Sequence, residues 1–316
     1  MTLRFLSLII ITVLLAACNN LWTPNDASSV DYRIYHQLIN DAEMALLDSS
    51  YTLADHSFKA AFAYVPRGFK HDYLLAGINA QRLGNTEQAF VWLDSAALLG
   101  LTAETWELDT AIYLLQEQPE WQDFLKRHDR LHEIYQSKLH PAVVKTVAWL
   151  DSLELAYQDA HGTEQEIDYK WFYQTNHDSL VSLINRYGWP GITLAGDNTL
   201  TRRRQWFVIQ HRSMADFQSL EGVYRQAIIN GEMYPYQYAW AYDVKFTSDT
   251  VEQAFTAYMQ TDRTEPFDPP QVQWFGAIAY TPSSDYGIVG GISEGNKRRR
   301  EWGLEPVEDY HRKRAN

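Results

Sequence analysis

The chain has 316 residues, a formal net charge of -13, a 46% hydrophobic content and a single cysteine. Such a negative balance repels phosphate backbones and excludes nucleic acid as the main partner. One cysteine excludes a disulfide framework, so stability has to come from buried apolar area, and the length suffices for two domains.

The chain opens MTLRFLSLIIITVLLAAC: Arg4 is a positive leader, and Phe5 to Leu15 is an apolar run. That run is shorter than the ~20 residues of a comfortable membrane span. Leu15-Ala16-Ala17-Cys18 has the form of a bacterial lipobox. Residues 1–17 are therefore expected to be a lipoprotein signal peptide, with Cys18 acylated and the membrane a partner through that lipid. The alternative is an uncleaved apolar anchor with an incidental cysteine. Residues 18–29, with Pro24, Asn25, Asp26 and Ser28, read as a flexible polar tether. No acidic cluster follows Cys18, which points to the periplasmic face of an outer membrane.

From Val30 to about Arg130 the pattern predicts helices throughout, in a domain spanning 30–140. Ala54, Phe58 and Ala61 recur as Ala89, Leu93 and Ala96, at a spacing of 35 residues. Small residues at such places let paired antiparallel helices approach closely. Gly84-Asn85 is expected to make the turn inside the second pair and Pro66 to close the first. This resembles the tetratricopeptide repeat, whose period is about 34. About two repeats are clear, the first lacks a small residue at its inner turn, and a third unit is ragged. Glu117 to Arg127 looks like a terminal helix capping the stack. A generic array of helical hairpins is the alternative, and both readings predict a face for a protein or peptide partner. His128 and His132, at i and i+4, share a helix face as a zinc pair would, although Asp129 stands where a metalloprotease carries glutamate. An ordinary polar linker helix competes with that reading.

Pro141 marks the boundary to a second domain, 141–316. Val143, Val144, Val147, Leu150, Leu153, Leu155 and Ala156 repeat at helical spacing. Asn176 or Asp178 is expected to cap a helix from Leu180 to Tyr187, closed by Gly188. Gly196 to Thr199 leads into a central helix over Gln205 to Gln218, and another helix begins at Ala215 or Asp216 and closes at Asn230-Gly231. Val244 to Thr247 and Val251 to Met259, around Ser248-Asp249-Thr250, read as a β-hairpin, with a helix over Thr250 to Tyr258 fitting almost as well. Gln271 to Tyr280 is a further strand candidate. Tyr286 to Gly291 is glycine-rich but has neither Walker nor dinucleotide spacing, so no cofactor is expected. A last helix runs from about Glu294 to Trp302, with Pro306 barring its continuation. The fold class is therefore mostly α: antiparallel helical-hairpin repeats, then a helix-rich α+β domain with a small hairpin or sheet.

Asn176, Tyr187-Gly188-Trp189-Pro190, Gly196, Gln210-His211, Phe217-Gln218, Gly231-Glu232, Asp243, Arg299 or Arg300, Gly303-Leu304, Pro306 and Tyr310 together resemble domain-of-unknown-function family 6624, over most of the second domain. The family's arginine after the aspartate is replaced by Val244, and its Gln-x-Tyr-Gly-Thr-Gln segment by Gln253, Phe255, Thr256, Ala257 and Tyr258. The resemblance implies a domain rather than a reaction.

Gln210, His211, Asp243 and Gln253 are candidates for one polar cluster, in which a carboxylate fixes the tautomer of a histidine base. No Gly-x-Ser-x-Gly elbow is present and no cysteine remains as nucleophile, so a hydrolase would need water activated by His211 or an unassigned metal. The competing reading has Gln210 and His211 hydrogen-bonded to loop backbone between two helices. Arg299, Arg300 and Tyr310 are either a salt-bridged clasp or an anion site. Trp274-Phe275 and Tyr234-Pro235-Tyr236 are the aromatic pieces expected at the surface. These features favour an envelope lipoprotein that binds or scaffolds a protein or peptide, with a hydrolase at Gln210, His211 and Asp243 as the rival.

Overall fold

A computed structural model describes residues 30–106, 110–160, 167–197, 213–260, 272, 273, 275, 277 and 287–315. The chain divides between Leu139 and His140 into two compact units. None of the described helices is long and apolar enough to cross a membrane.

The first unit is built from helical hairpins. Helix α1 (Tyr32–Leu47) pairs with α2 (Tyr51–Tyr64), and α3 (Lys70–Arg82) pairs with α4 (Thr86–Ala97). Ala54, Phe58 and Ala61 in α2 and Ala89, Leu93 and Ala96 in α4 are all buried. Gly77 shows why small residues are needed between paired helices. A Cβ there would sit 3.1 Å from the Ala89 carbonyl oxygen.

The two inner turns are closed by the same hydrogen bonds, one repeat apart. Ser50 N–H donates to the Ala45 carbonyl and Ser49 N–H to that of Leu46; Asn85 N–H donates to Ala80 and Gly84 N–H to Gln81. This is the cap in which one residue turns left-handed to satisfy the last helical carbonyls. Gly84 takes that conformation at φ 74°, and Ser49 takes it at φ 54°. The missing glycine of the first repeat thus changes the strain and leaves the geometry alone. Asn85 also caps α4, its side chain accepting from Gln88 N–H, whereas Ser50 makes no side-chain cap bond.

The third unit departs where the same spacing places Pro119. Proline cannot adopt positive φ, and Pro119 sits at φ -53°. The described residues before it form α5 (Ala103–Trp106), a 3-10 turn (Thr110–Ile112) and α6 (Tyr113–Gln116). Helix α7 (Glu120–Lys138) then closes the unit, with Phe124 buried against Phe90 and Trp106. Arg127 bonds both oxygens of Asp94 at 2.9 Å, tying α7 to α4.

The second unit is also helical. Helices α8 (Pro141–Ala160) and α9 (Tyr169–Tyr187) precede a short α10 (Ile192–Ala195). Then come α11 (Met214–Ser219), α12 (Glu221–Ile229) and the long α13 (Pro235–Tyr258). Strands β1 (Val272–Gln273) and β2 (Gly287–Ile288) pair in parallel, and α14 (Gly291–Glu301) and α15 (Val307–Ala315) end the unit. The core is aromatic: Tyr238 stacks on Trp302 at 3.8 Å between ring centres, with Phe217, Tyr224 and Phe275 around them.

Three expectations are corrected here. The β-hairpin over 244–259 is absent, because residues 244–258 lie within α13. Its Ser248 and Thr250 hydroxyls bond back to the carbonyls of Val244 and Phe246 four residues earlier, so these strand-favouring side chains fit a helix. Asn176 is no cap: α9 begins seven residues earlier, where Asp168 accepts from Trp171 N–H at 2.7 Å. The helix predicted over Glu294 to Trp302 is not the last one, since α15 follows Pro306 from Val307.

The turn geometry makes a direct prediction. Ser49→Gly stabilises the first unit by about 1 kcal/mol by removing left-handed strain, and Gly84→Ala costs about as much. Urea midpoints at constant m-value measure both, and unchanged midpoints would contradict the strain argument.

Candidate functional site

The polar centre of the second unit is a clasp on residues 275 and 277. Asp243, fully buried on α13, accepts the Phe275 N–H at 2.7 Å and the Ala277 N–H at 2.6 Å. Arg299 on α14, also fully buried, donates from Nη1 to the Phe275 carbonyl at 3.0 Å. Tyr310 on α15 donates its hydroxyl to the Ala277 carbonyl at 2.7 Å. Three helices thereby supply the hydrogen bonds that a neighbouring strand would supply in a sheet.

The clasp is reinforced from behind. Arg299 Nε donates to the Glu305 carbonyl at 2.5 Å, and the guanidinium lies 5.1 Å from the centre of the Tyr310 ring. Burial weakens the guanidinium's hold on its proton, opposed by Glu305, Tyr310 and Asp243. Burial pushes the Tyr310 hydroxyl well above the usual phenol range, helped by the neighbouring Tyr236. The Tyr236 and Tyr310 hydroxyls are 2.9 Å apart, and Arg314 donates to Tyr236 at 3.0 Å.

The sequence-derived candidates fall apart in space. Gln210 and His211 lie outside the described residues. Gln253 is exposed on α13. Ten residues separate it from Asp243, about 15 Å along a helix, so the two do not share a cluster. Both Asp243 oxygens serve backbone amides. Arg299 is turned to the interior, and Arg300, beside it on α14, faces solvent. Phe275, expected at the surface, is buried in the aromatic core.

The histidine pair on α7 is no converging ligand set. His128 Nε2 lies 2.8 Å from the Leu101 carbonyl, which makes that nitrogen the donor. The His128 and His132 rings stack, 6.1 Å apart and inclined by 21°. His132 Nε2 approaches the Gln136 amide nitrogen at 3.2 Å. Among the described residues no group of three or more His, Cys, Asp or Glu side chains is placed to hold a metal.

Several motif residues turn out to be architectural. Glu232 Oε2 accepts from Thr193 N–H at 2.8 Å and from the Thr193 hydroxyl at 2.9 Å. Gly191 is required for that approach, since a Cβ there would lie 2.5 Å from the Glu232 carbonyl oxygen. Tyr234 donates to Asp197 at 3.2 Å. Sequence reasoning missed two buried charged side chains, Glu154 on α8 and Lys245 on α13.

Asp243→Ala should cost about 2–5 kcal/mol, because it leaves two buried backbone amides without their acceptor. Gln253→Ala should change stability by less than about 0.5 kcal/mol, and chemical denaturation compares the two. A second prediction concerns pH. Burial first, then His128 and Lys70, lowers the His132 pKa below its usual 6.5. The folded state then resists a proton that the unfolded chain accepts, so this contribution is complete above 6.5 and is lost as pH falls through the folded value. Urea midpoints followed downward from neutral pH should fall less steeply in His132→Gln, and an identical slope would contradict the assignment.

Compared with protein-family models, with curated proteins and with solved structures, the chain finds no match.

Proposed function

We propose that the protein is a lipid-anchored component of the bacterial cell envelope that holds a protein or peptide partner on its helical hairpins. The observation that carries this reading is the repeated hairpin, with identical turn bonding 35 residues apart, since stacked hairpins of this kind present extended surfaces suited to another chain. Leu53 on α2 and Val91 on α4 are exposed, at 58% and 45%. One repeat on from Leu53 is residue 88, which shares a helix face with Val91, so consecutive hairpins offer apolar side chains on matching faces. In this reading the hairpins are a variant of the tetratricopeptide repeat.

The anchor rests on Leu15-Ala16-Ala17-Cys18 and on the polar tether that follows, with the periplasmic face of an outer membrane as the location. The second unit is proposed as a divergent relative of domain-of-unknown-function family 6624 with a structural role. The hydrolase reading is disfavoured because Asp243, its carboxylate, is occupied by the amides of Phe275 and Ala277.

The test has two parts. Cys18→Ala should move the protein from the membrane fraction to the soluble fraction, and retention in the membrane would defeat the lipoprotein reading. A photo-crosslinking side chain at position 53 or 91 should give one discrete adduct in intact cells. One placed at exposed Glu133 should give none. Equal labelling at all three positions, or none at any, would defeat the binding reading.

A further inference from the structure

Helix α8 turns Val143, Val147, Leu150 and Glu154 to the interior. Its opposite face exposes two large apolar side chains, Trp149 at 46% and Leu155 at 44%. Between and beside them lie Ala148, Ser152 and Ala156, also exposed, and towards the two ends stand exposed Lys145 and Asp159. The Ser152 hydroxyl donates to the Ala148 carbonyl at 2.9 Å, so that polar group is met within the helix. No side-chain hydrogen bond or ion pair joins Lys145 or Asp159 to another described residue.

These residues are ordered symmetrically about Ser152. Lys145 and Asp159 stand seven residues to either side of it, about 10 Å along a helix. Ala148 and Ala156 stand four residues away, and Trp149 and Leu155 three. Helical geometry places Lys145, Ser152 and Asp159 in one line, with Trp149 and Ala156 on one flank and Ala148 and Leu155 on the other.

We propose that this face of α8 docks on the same face of a second copy, as an antiparallel two-fold dimer centred on Ser152. A two-fold axis between the two Ser152 side chains, normal to the plane of the paired helices, reverses chain direction and keeps each flank on its own side. Lys145 then faces the partner's Asp159, and Asp159 faces the partner's Lys145. Trp149 covers the partner's Ala156 and Leu155 the partner's Ala148, so each large side chain meets a small one. A parallel pair would set like charges together at both ends. One helix pair is a small interface, and a formal net charge of -13 on each copy opposes association. The dimer is therefore weak, and its two charge pairs decide its register. The face belongs to the second unit and does not depend on what the hairpins hold.

The test is disulfide trapping in the full chain, purified in detergent, with Ser152→Cys at the two-fold axis. Mild oxidation should give a cross-linked dimer, and the chain that keeps serine at 152 should give none. Glu133→Cys, exposed on α7, is the collision control and should cross-link far less. Adding Lys145→Asp or Asp159→Lys to Ser152→Cys sets like charges opposite each other and should cut the yield about fivefold. Mixing those two variants restores both opposite-charge pairs and should return the yield to that of Ser152→Cys alone. A yield at 152 no higher than at 133, or a mixture no better than its components, overturns the proposal; either is the outcome if the first unit or an unrelated protein covers this face. Sedimentation equilibrium of the unsubstituted chain in density-matched detergent is a second reading that needs no variant to fold. A monomer at every concentration up to ~100 μM overturns the proposal there.

Discussion

The second unit depends on the bonds that Asp243, Arg299 and Tyr310 make to one short stretch of backbone. Residues 275 and 277 expose alternate amides and carbonyls that have no sheet to join, since the described strands pair for only two residues each. Buried backbone groups without partners would be destabilising. The three side chains meet that need from α13, α14 and α15, and so fasten three helices to one segment. A buried carboxylate beside a buried guanidinium is weak evidence of net stabilisation, because desolvation opposes the attraction. What these side chains supply is geometric specificity, with the buried Arg299 charge compensated by Glu305, 3.7 Å away.

The first unit solves a different problem by repetition. A hairpin buries little alone, and each one covers its neighbour. Its limits come from single residues at one recurring position. Gly84 turns freely, Ser49 turns under strain, and Pro119 cannot turn, so the array loses its regularity at the third unit.

Much of this was legible in the amino-acid sequence, for physical reasons. The buried alanines and Phe58 or Leu93 were readable because helix-on-helix contact demands small and large residues at a fixed period. The helix at 244–258 was misread because Val244, Thr247 and Thr250 favour strands locally, and only their surroundings decide. The role of Asp243 was not readable, since its partners are backbone amides some thirty residues away, and backbone groups leave no trace in side-chain pattern. Asn176 was mistaken for a cap because short polar residues favour helix starts, while α9 in fact begins at Tyr169 and carries Asn176 into the interior.

The central claim is that the polar residues around Asp243 hold structure together, with capture of a protein or peptide partner proposed for the hairpins. Hydrogen exchange of the Phe275 and Ala277 amides under native conditions tests it most directly. The clasp predicts that both exchange only with global unfolding, as slowly as amides in the core helices. Exchange of either amide at the rate of an open loop would contradict the account and return Asp243 to the position of an accessible carboxylate.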